Sequence, residues 1–157
     1  MEIERKYLIH SIPFSLDTYS FHEIEQAYLC TNPVVRIRKQ DDTYILTYKG
    51  KGLMVREEYN LPLNEEAYPH LLQKADGVVI KKRRYLIPYS LAEQSYTIEL
   101  DIFNDTYEGL QLAEVEFETE AECNAFIPPD WFGEDVTFSK KYHNSTLSAI
   151  NPQKKVE

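Results

Sequence analysis

Short runs in which apolar and polar residues alternate make up most of this chain, and a period of two marks strands with one buried face. The first is Glu2-Ile3-Glu4-Arg5-Lys6, where Glu2, Glu4 and Lys6 point to one side and Ile3 and Arg5 to the other. A loop or short helix over Ser11–Ser20 separates it from a strand over Glu23–Cys30. Asn32-Pro33 turns the chain into Val34–Gln40, Asp41-Asp42 turns it back into Thr43–Lys49, and Gly50-Lys51-Gly52 turns it again into Met54–Leu61. A helix is predicted over about Glu65–Ala75, with Asn64 as N-cap, Glu65 and Glu66 in its first turn, Gly77 past its end, and Leu71, Leu72 and Ala75 buried. Strands over Val78–Ile87, Tyr96–Phe103 and Leu110–Glu118 follow. Thr119 is expected to cap a short helix reaching Phe126, which Pro128-Pro129 ends. The last ordered piece is placed at Asp135–Ile150, and residues 151–157 read as a loose polar tail.

Seven or eight short strands with two or three helices predict a mainly β, α+β fold, an antiparallel barrel or sandwich. No repeat, linker or low-complexity segment divides the 157 residues, so one domain over 1–150 is expected. With 43% hydrophobic residues the chain can fill a core. A net charge of −9 argues against nonspecific binding to nucleic acid or an anionic membrane, without excluding an anionic ligand in a locally basic site. Cys30 and Cys123, far apart, suggest neither a disulfide framework nor a zinc site. No leader opens the chain and no run approaches a membrane span, so a cytoplasmic location is expected.

The polar faces are unusually charged. At one parity per strand the bases are Lys6, Arg36, Arg38, Lys49, Arg56, Lys82 and Arg84, and the acids are Glu2, Glu4, Glu58, Glu99, Asp101, Glu114, Glu116 and Glu118. On an open sheet this face would be solvated and of little consequence. In a closed barrel it would line a tunnel, which is sensible only if wet, internally paired, or filled by a charged ligand and its metals. Carboxylates on one side and Arg/Lys on the other suit a metal–polyphosphate complex, because hard cations take carboxylate oxygens and guanidinium forks grip phosphates. No P-loop, GxGxxG, GxSxG or Cys/His pattern competes. His10, His22, His70 and His143 lack metal-ligand spacing and read as surface or turn residues.

Several segments, in order, resemble one family. Glu2-Ile3-Glu4-Arg5-Lys6 resembles the ExExK signature of the CYTH superfamily, the triphosphate tunnel metalloenzymes. Val35-Arg36-Ile37-Arg38, Thr47-Tyr48-Lys49-Gly50 and Arg56-Glu57-Glu58 are similar to its paired-arginine, lysine and RxE strands. Ile80-Lys81-Lys82-Arg83-Arg84-Tyr85, Glu99-Leu100-Asp101-Ile102-Phe103 and Ala113-Glu114-Val115-Glu116-Phe117 resemble its IxKxRY strand and acidic strand pair. Val136-Thr137 with Lys141-Tyr142-His143-Asn144 resembles its C-terminal segment. Two positions depart: Ser139 stands where many bacterial members carry an acid, and Asn60 where some carry a glutamate.

The resemblance implies an eight-stranded antiparallel closed barrel with a few flanking helices, and a tunnel that binds triphosphates with Mg²⁺ or Mn²⁺, two ions by analogy. It implies Glu2, Glu4 and Glu116 as principal metal ligands, with Glu114 and Asp101 near a second ion. Glu58 and Glu99 would orient an attacking water or position the bases. Lys6, Arg36, Arg38, Lys49, Arg56, Lys82 and Arg84 would hold phosphate oxygens, and Lys141 or its neighbour Lys140 would add a further cation. The expected chemistry is metal-assisted attack of water on a terminal phosphorus, with inorganic tripolyphosphate favoured over nucleoside triphosphates. The alternatives are a class IV adenylate cyclase making cyclic AMP from ATP, and a noncatalytic polyphosphate-binding protein. The apolar outer face is compatible with a homodimer.

Overall fold

The computed structural model describes residues 1–149, so the expected 151–157 tail and the end of the expected 135–150 segment lie outside the described residues. Its strands are β1 (Glu2–Leu8), β2 (Phe21–Thr31), β3 (Val34–Gln40), β4 (Thr43–Lys49), β5 (Val55–Arg56), β6 (Glu58–Leu63), β7 (Asp76–Leu91), β8 (Gln94–Phe103) and β9 (Gln111–Glu116). The helices are α1 (Ala67–Leu72), α2 (Glu120–Ala125) and α3 (Asn144–Ala149). All strand pairs are antiparallel, in the order β5-β1-β9-β8-β7-β2-β3-β4-β6.

The two ends of that order are consecutive pieces of one chain segment. The strand expected over Met54–Leu61 breaks at Glu57, so its first part pairs with β1 and its second with β4. An expected eight strands thus become nine, and the sheet curls into a nearly closed barrel. The break is set by the turn before it. Gly52 has φ +127°, and a Cβ there would lie 2.1 Å from the Val55 carbonyl oxygen, so only glycine brings the chain back this tightly.

Two other boundaries moved for local reasons. β7 runs through Pro88 to Leu91 because its pairing with β2 ends at Tyr85; beyond that point Pro88 sits on a two-stranded arm and its missing N–H costs no ladder bond. The helix predicted over 65–75 shrinks to six residues, and its buried residue is Tyr68, with Leu71, Leu72 and Ala75 only partly covered. Asn64 still accepts the Ala67 N–H at 2.7 Å. Thr119 caps α2 as expected, its hydroxyl accepting from the Glu122 N–H at 3.1 Å. Ser11–Ser20 contains no helix.

The barrel is polar inside and apolar outside. On the outer face of β1, β7, β8 and β9, Tyr7, Ile87, Ile98, Leu100, Ala113 and Val115 pack under Cys123 and Phe126 of the α2 region. Ala27 and Ile37 pack under Tyr68 of α1 in the same way. One end of the lumen is itself apolar: Tyr28, Val34, Ile80, Phe103 and Leu112 meet Val136 and Leu147, so α3 and the segment before it plug that end. The Tyr107 hydroxyl fastens the plug by donating to the Leu147 carbonyl at 2.6 Å.

Phe126 is the centre of the outer cluster, with ring centroids of Phe117, Tyr96, Tyr89 and Tyr7 at 5.1, 5.6, 5.9 and 6.3 Å. Phe126→Ala is expected to destabilise the fold by about 3–5 kcal/mol in urea denaturation. A loss under about 1 kcal/mol would show that the cluster does not support the barrel wall.

Candidate functional site

Strand register assembles the site. Along β1, Glu2 pairs with Arg56, Glu4 with Glu116, and Lys6 with Glu114. Like charges directly opposite across two strands repel, so the Glu4–Glu116 pair is a standing cost in the protein alone. Carboxylate oxygens of Glu2, Glu4 and Glu116 all lie within 4.8 Å of one another. Burial, with Glu114 and Glu2 adding to it, pushes the Glu4 carboxyl up to about 8. Burial and the surrounding acids, Glu99 first, raise Glu116 to about 7. Burial raises Glu2 as well, although its Lys49 partner at 2.9 Å opposes the shift. Three converging carboxyls that resist ionisation, chiefly through burial and further through nearby acids, form a donor set that fits a hard divalent cation.

Opposite them stands a basic wall. Lys6, Arg36, Arg38, Lys49, Arg56 and Arg84 line the lumen with five acids, Glu2, Glu4, Glu58, Glu114 and Glu116. Arg36 is buried and donates to Thr47 Oγ1 at 3.2 Å, but its Nε has no acceptor among the described residues. Arg38 grips Gln26 Oε1 with two bonds of 2.9 and 2.7 Å. Burial, and the like charges of Arg36 and Arg84, push the Arg38 guanidinium down to about 9. An orphaned guanidinium nitrogen beside crowded, desolvated cations is the electrostatic signature of a site shaped for an anion.

Of the residues singled out from sequence, eleven therefore share one lumen: Glu2, Glu4, Lys6, Arg36, Arg38, Lys49, Arg56, Glu58, Arg84, Glu114 and Glu116. Lys82 and Asp101 lie behind that surface as a fully buried ion pair of 2.7 Å, and Lys82 also reaches Asn144 Oδ1 at 3.4 Å. Arg84 ties the two layers together. It donates to both Asp101 oxygens at 2.7 and 2.9 Å, to Glu99 at 2.7 Å and to Glu114 at 3.4 Å. Asp101 is thus ion-paired with Arg84 and Lys82, and Glu114 with Lys6 and Arg84. Glu99 borders an adjoining depression that reaches Glu116, Glu118 and Glu122.

Lys141 is not brought together with these residues. It is exposed, with its ammonium 5.4 Å from the centre of the Tyr142 ring, and it lies outside the lumen lining, as does Lys140. The segment makes its own turn over Lys140–Tyr142, which carries both side chains to solvent and sends the Tyr142 carbonyl inward to accept from Lys6 Nζ at 3.2 Å. Of the two departures from the family pattern, Asn60 bridges Thr47 and Glu58 by hydrogen bonds of 2.7 and 3.2 Å, and Ser139 does not line the lumen. Tyr28, Thr137, His143, Asn144 and Ser145 also line it; Thr137, His143 and Asn144 fall in the C-terminal segment of the resemblance, but none of the five was given a role from sequence. Tyr28 read as one apolar position of a strand, and His143 read as a turn residue; only the folded plug carries His143 to the lumen.

The comparisons with known proteins agree with this architecture. The family model described as CYTH domain matches residues 1–151. The inorganic triphosphatase of Nitrosomonas europaea is 35% identical over 156 residues, 96% of this chain and 99% of that protein. The inorganic triphosphatase of Acetivibrio thermocellus is 33% identical over 159 residues, 98% of this chain and 96% of that protein. Among solved structures, the inorganic triphosphatase NE1496 superposes with a TM-score of 0.69 at 34% identity, covering 97% of each chain. The ordered charged strands, the barrel they build and these likenesses agree, and the chain belongs to the CYTH domain family.

Proposed function

We propose that this protein is a divalent-metal-dependent triphosphatase whose main substrate is inorganic tripolyphosphate, with nucleoside triphosphates used more weakly. The observation that carries this reading is the joining, in one lumen plugged at one end, of a three-carboxylate cluster and an Arg/Lys wall. The activity named for the two relatives, matched over almost their whole lengths, supports it.

Glu2, Glu4 and Glu116 would hold the cation, Mg²⁺ or Mn²⁺, since their oxygens converge and their protons are weakly needed once a dication is present. A bound dication neutralises phosphate oxygens and polarises the reacting phosphorus. Arg36 and Arg38 offer guanidinium groups to phosphate oxygens, and Lys6, Lys49, Arg56 and the acid-bound Arg84 add positive charge where the leaving group gathers negative charge. Glu58 faces the same lumen. Burial works against its ionisation, but hydrogen bonding to Glu2 and the Lys49 charge outweigh it and hold the carboxyl below its usual range. As a carboxylate it can orient a water and take its proton as oxygen bonds to the terminal phosphorus and the bond to pyrophosphate breaks.

Phosphate release from tripolyphosphate is expected with Mg²⁺ or Mn²⁺ and not with EDTA. Cyclic AMP from ATP would instead make the protein a cyclase, and binding of tripolyphosphate without turnover would make it a binding protein. Arg38→Ala is expected to raise KM about ten- to a hundredfold with a smaller change in kcat, because it removes a doubly bonded fork from the wall. An unchanged KM removes Arg38 from the substrate's path.

Glu4 gives a test by pH. Its folded pKa is raised above 4.5 to about 8, so the folded protein holds this proton more tightly than the unfolded chain. Stability must then fall as pH rises through that interval. Without metal, Glu4→Gln is expected to raise Tm relative to wild type at about pH 8.5, with the gain shrinking toward about pH 5.5. Mg²⁺ is expected to raise the Tm of wild type, but not of the variant, at the higher pH. A pH-independent difference between the two proteins would mean that Glu4 ionises normally.

A further inference from the structure

Among the described residues the lumen contains one imidazole, to which neither the carboxylate cluster nor the phosphate wall assigns a role. His143 sits between the Lys140–Tyr142 turn and α3, and its backbone carbonyl accepts the Leu147 N–H at 3.0 Å, so the plug fixes its position. Its side chain is half-buried and lines the lumen. The charges acting on it from packed strands are cationic: Lys6 on β1, Arg56 on β5 and Lys49 on β4. The acids nearest those cations are committed to them, Glu114 to Lys6 at 3.4 Å and Glu2 to Lys49 at 2.9 Å. Burial first, then these cations, push the imidazole down to about 4, so the ring is neutral in the protein alone.

The Thr137 backbone works against burial and the cations by favouring the protonated ring. A neutral imidazole carries one N–H and, on its second nitrogen, a lone pair. A lone pair suits a substrate-free lumen in which the charges acting on the ring are those of Lys6, Arg56 and Lys49. It is mismatched to a phosphate oxygen, which offers only lone pairs of its own. A bound triphosphate replaces the repulsion of three cations by the attraction of a polyanion, and this favours the imidazolium.

Building on the triphosphate reading, we propose that His143 is a substrate-contacting residue that takes up a proton as the triphosphate enters and donates it in a hydrogen bond to a phosphate oxygen at the plugged end. The balance is simple: one proton moves from solvent to the second ring nitrogen, no covalent bond of the substrate changes, and the proton is returned when product leaves.

The test uses the full-length protein with Mg²⁺ and a non-hydrolysable bis-methylene triphosphate. Calorimetric titration near neutral pH in two buffers of different ionisation enthalpy counts the protons exchanged. Wild type is expected to take up about one proton more than His143→Gln, and the variant is expected to show a KM for tripolyphosphate raised about tenfold with kcat within about twofold. Equal proton counts and an unchanged KM overturn the proposal. Should the variant fold poorly, ring-proton NMR of wild type decides: the His143 resonance must move to its imidazolium position when the analogue binds, and a resonance that stays neutral overturns it. Wild type that hydrolyses tripolyphosphate while His143 stays neutral sinks this inference alone. Wild type that does not hydrolyse it sinks the functional reading as well.

Discussion

The repulsion between Glu4 and Glu116, paired directly across β1 and β9 with Glu2 beside them, is the constraint from which the rest of this structure follows. Such a pair is not tolerated at random, because carboxylates facing each other in a covered space either take protons or take a cation. Everything around them lowers that cost without abolishing it. Lys49 reaches Glu2, Lys6 reaches Glu114, and the cations on β3, β5 and β7 hold the lumen near neutrality. The cluster is uncomfortable in the protein alone, and a dication held there as proposed would relieve it.

Holding a charged lumen open demands a barrel whose stability comes from elsewhere. Here the apolar cores lie outside the wall, under α1, α2 and the loops around Phe14 and Trp131, where aromatic rings pack edge to face. Most strands therefore bury their second face under a cover, β6 with its exposed Tyr59 and Leu61 apart, and the register that aligns the charges is fixed by packing on the opposite side. A one-residue slip of β1 would turn Ile3 and Arg5 into the lumen and Glu2, Glu4 and Lys6 into the aromatic cluster. The apolar plug of Val136 and Leu147 completes this arrangement by closing one end without adding charge.

Behind the wall, Arg84 and the Lys82–Asp101 pair form a dry polar support. Buried pairs of this type seldom add much net stability, but removing one partner leaves an uncompensated charge. Their contribution here is positional: Arg84 is held by three acids from two strands, so its guanidinium is fixed where the lumen needs it.

Residue order alone determined the strands and the sign of each face, because period-two alternation reports which side of a strand is wet. It gave β3 and β4 to the residue, and it separated Glu2, Glu4 and Lys6 from Ile3 and Arg5. It also located most of the lumen's charged residues, since a cation repeated at one parity can only face one way. Depth was beyond it. Lys82 and Arg84 share a face of β7, yet one is sealed beneath the wall and the other lines it, a distinction made by Asp101 and the plug. The seam at Glu57 was hidden too, because alternation continues through the residue where the chain leaves β1 for β4. Lys141 and His143 show the same limit in the C-terminal segment, where no period fixes a direction. Only the closure of the plug against the barrel decided that the lysine faces water and the histidine faces the lumen.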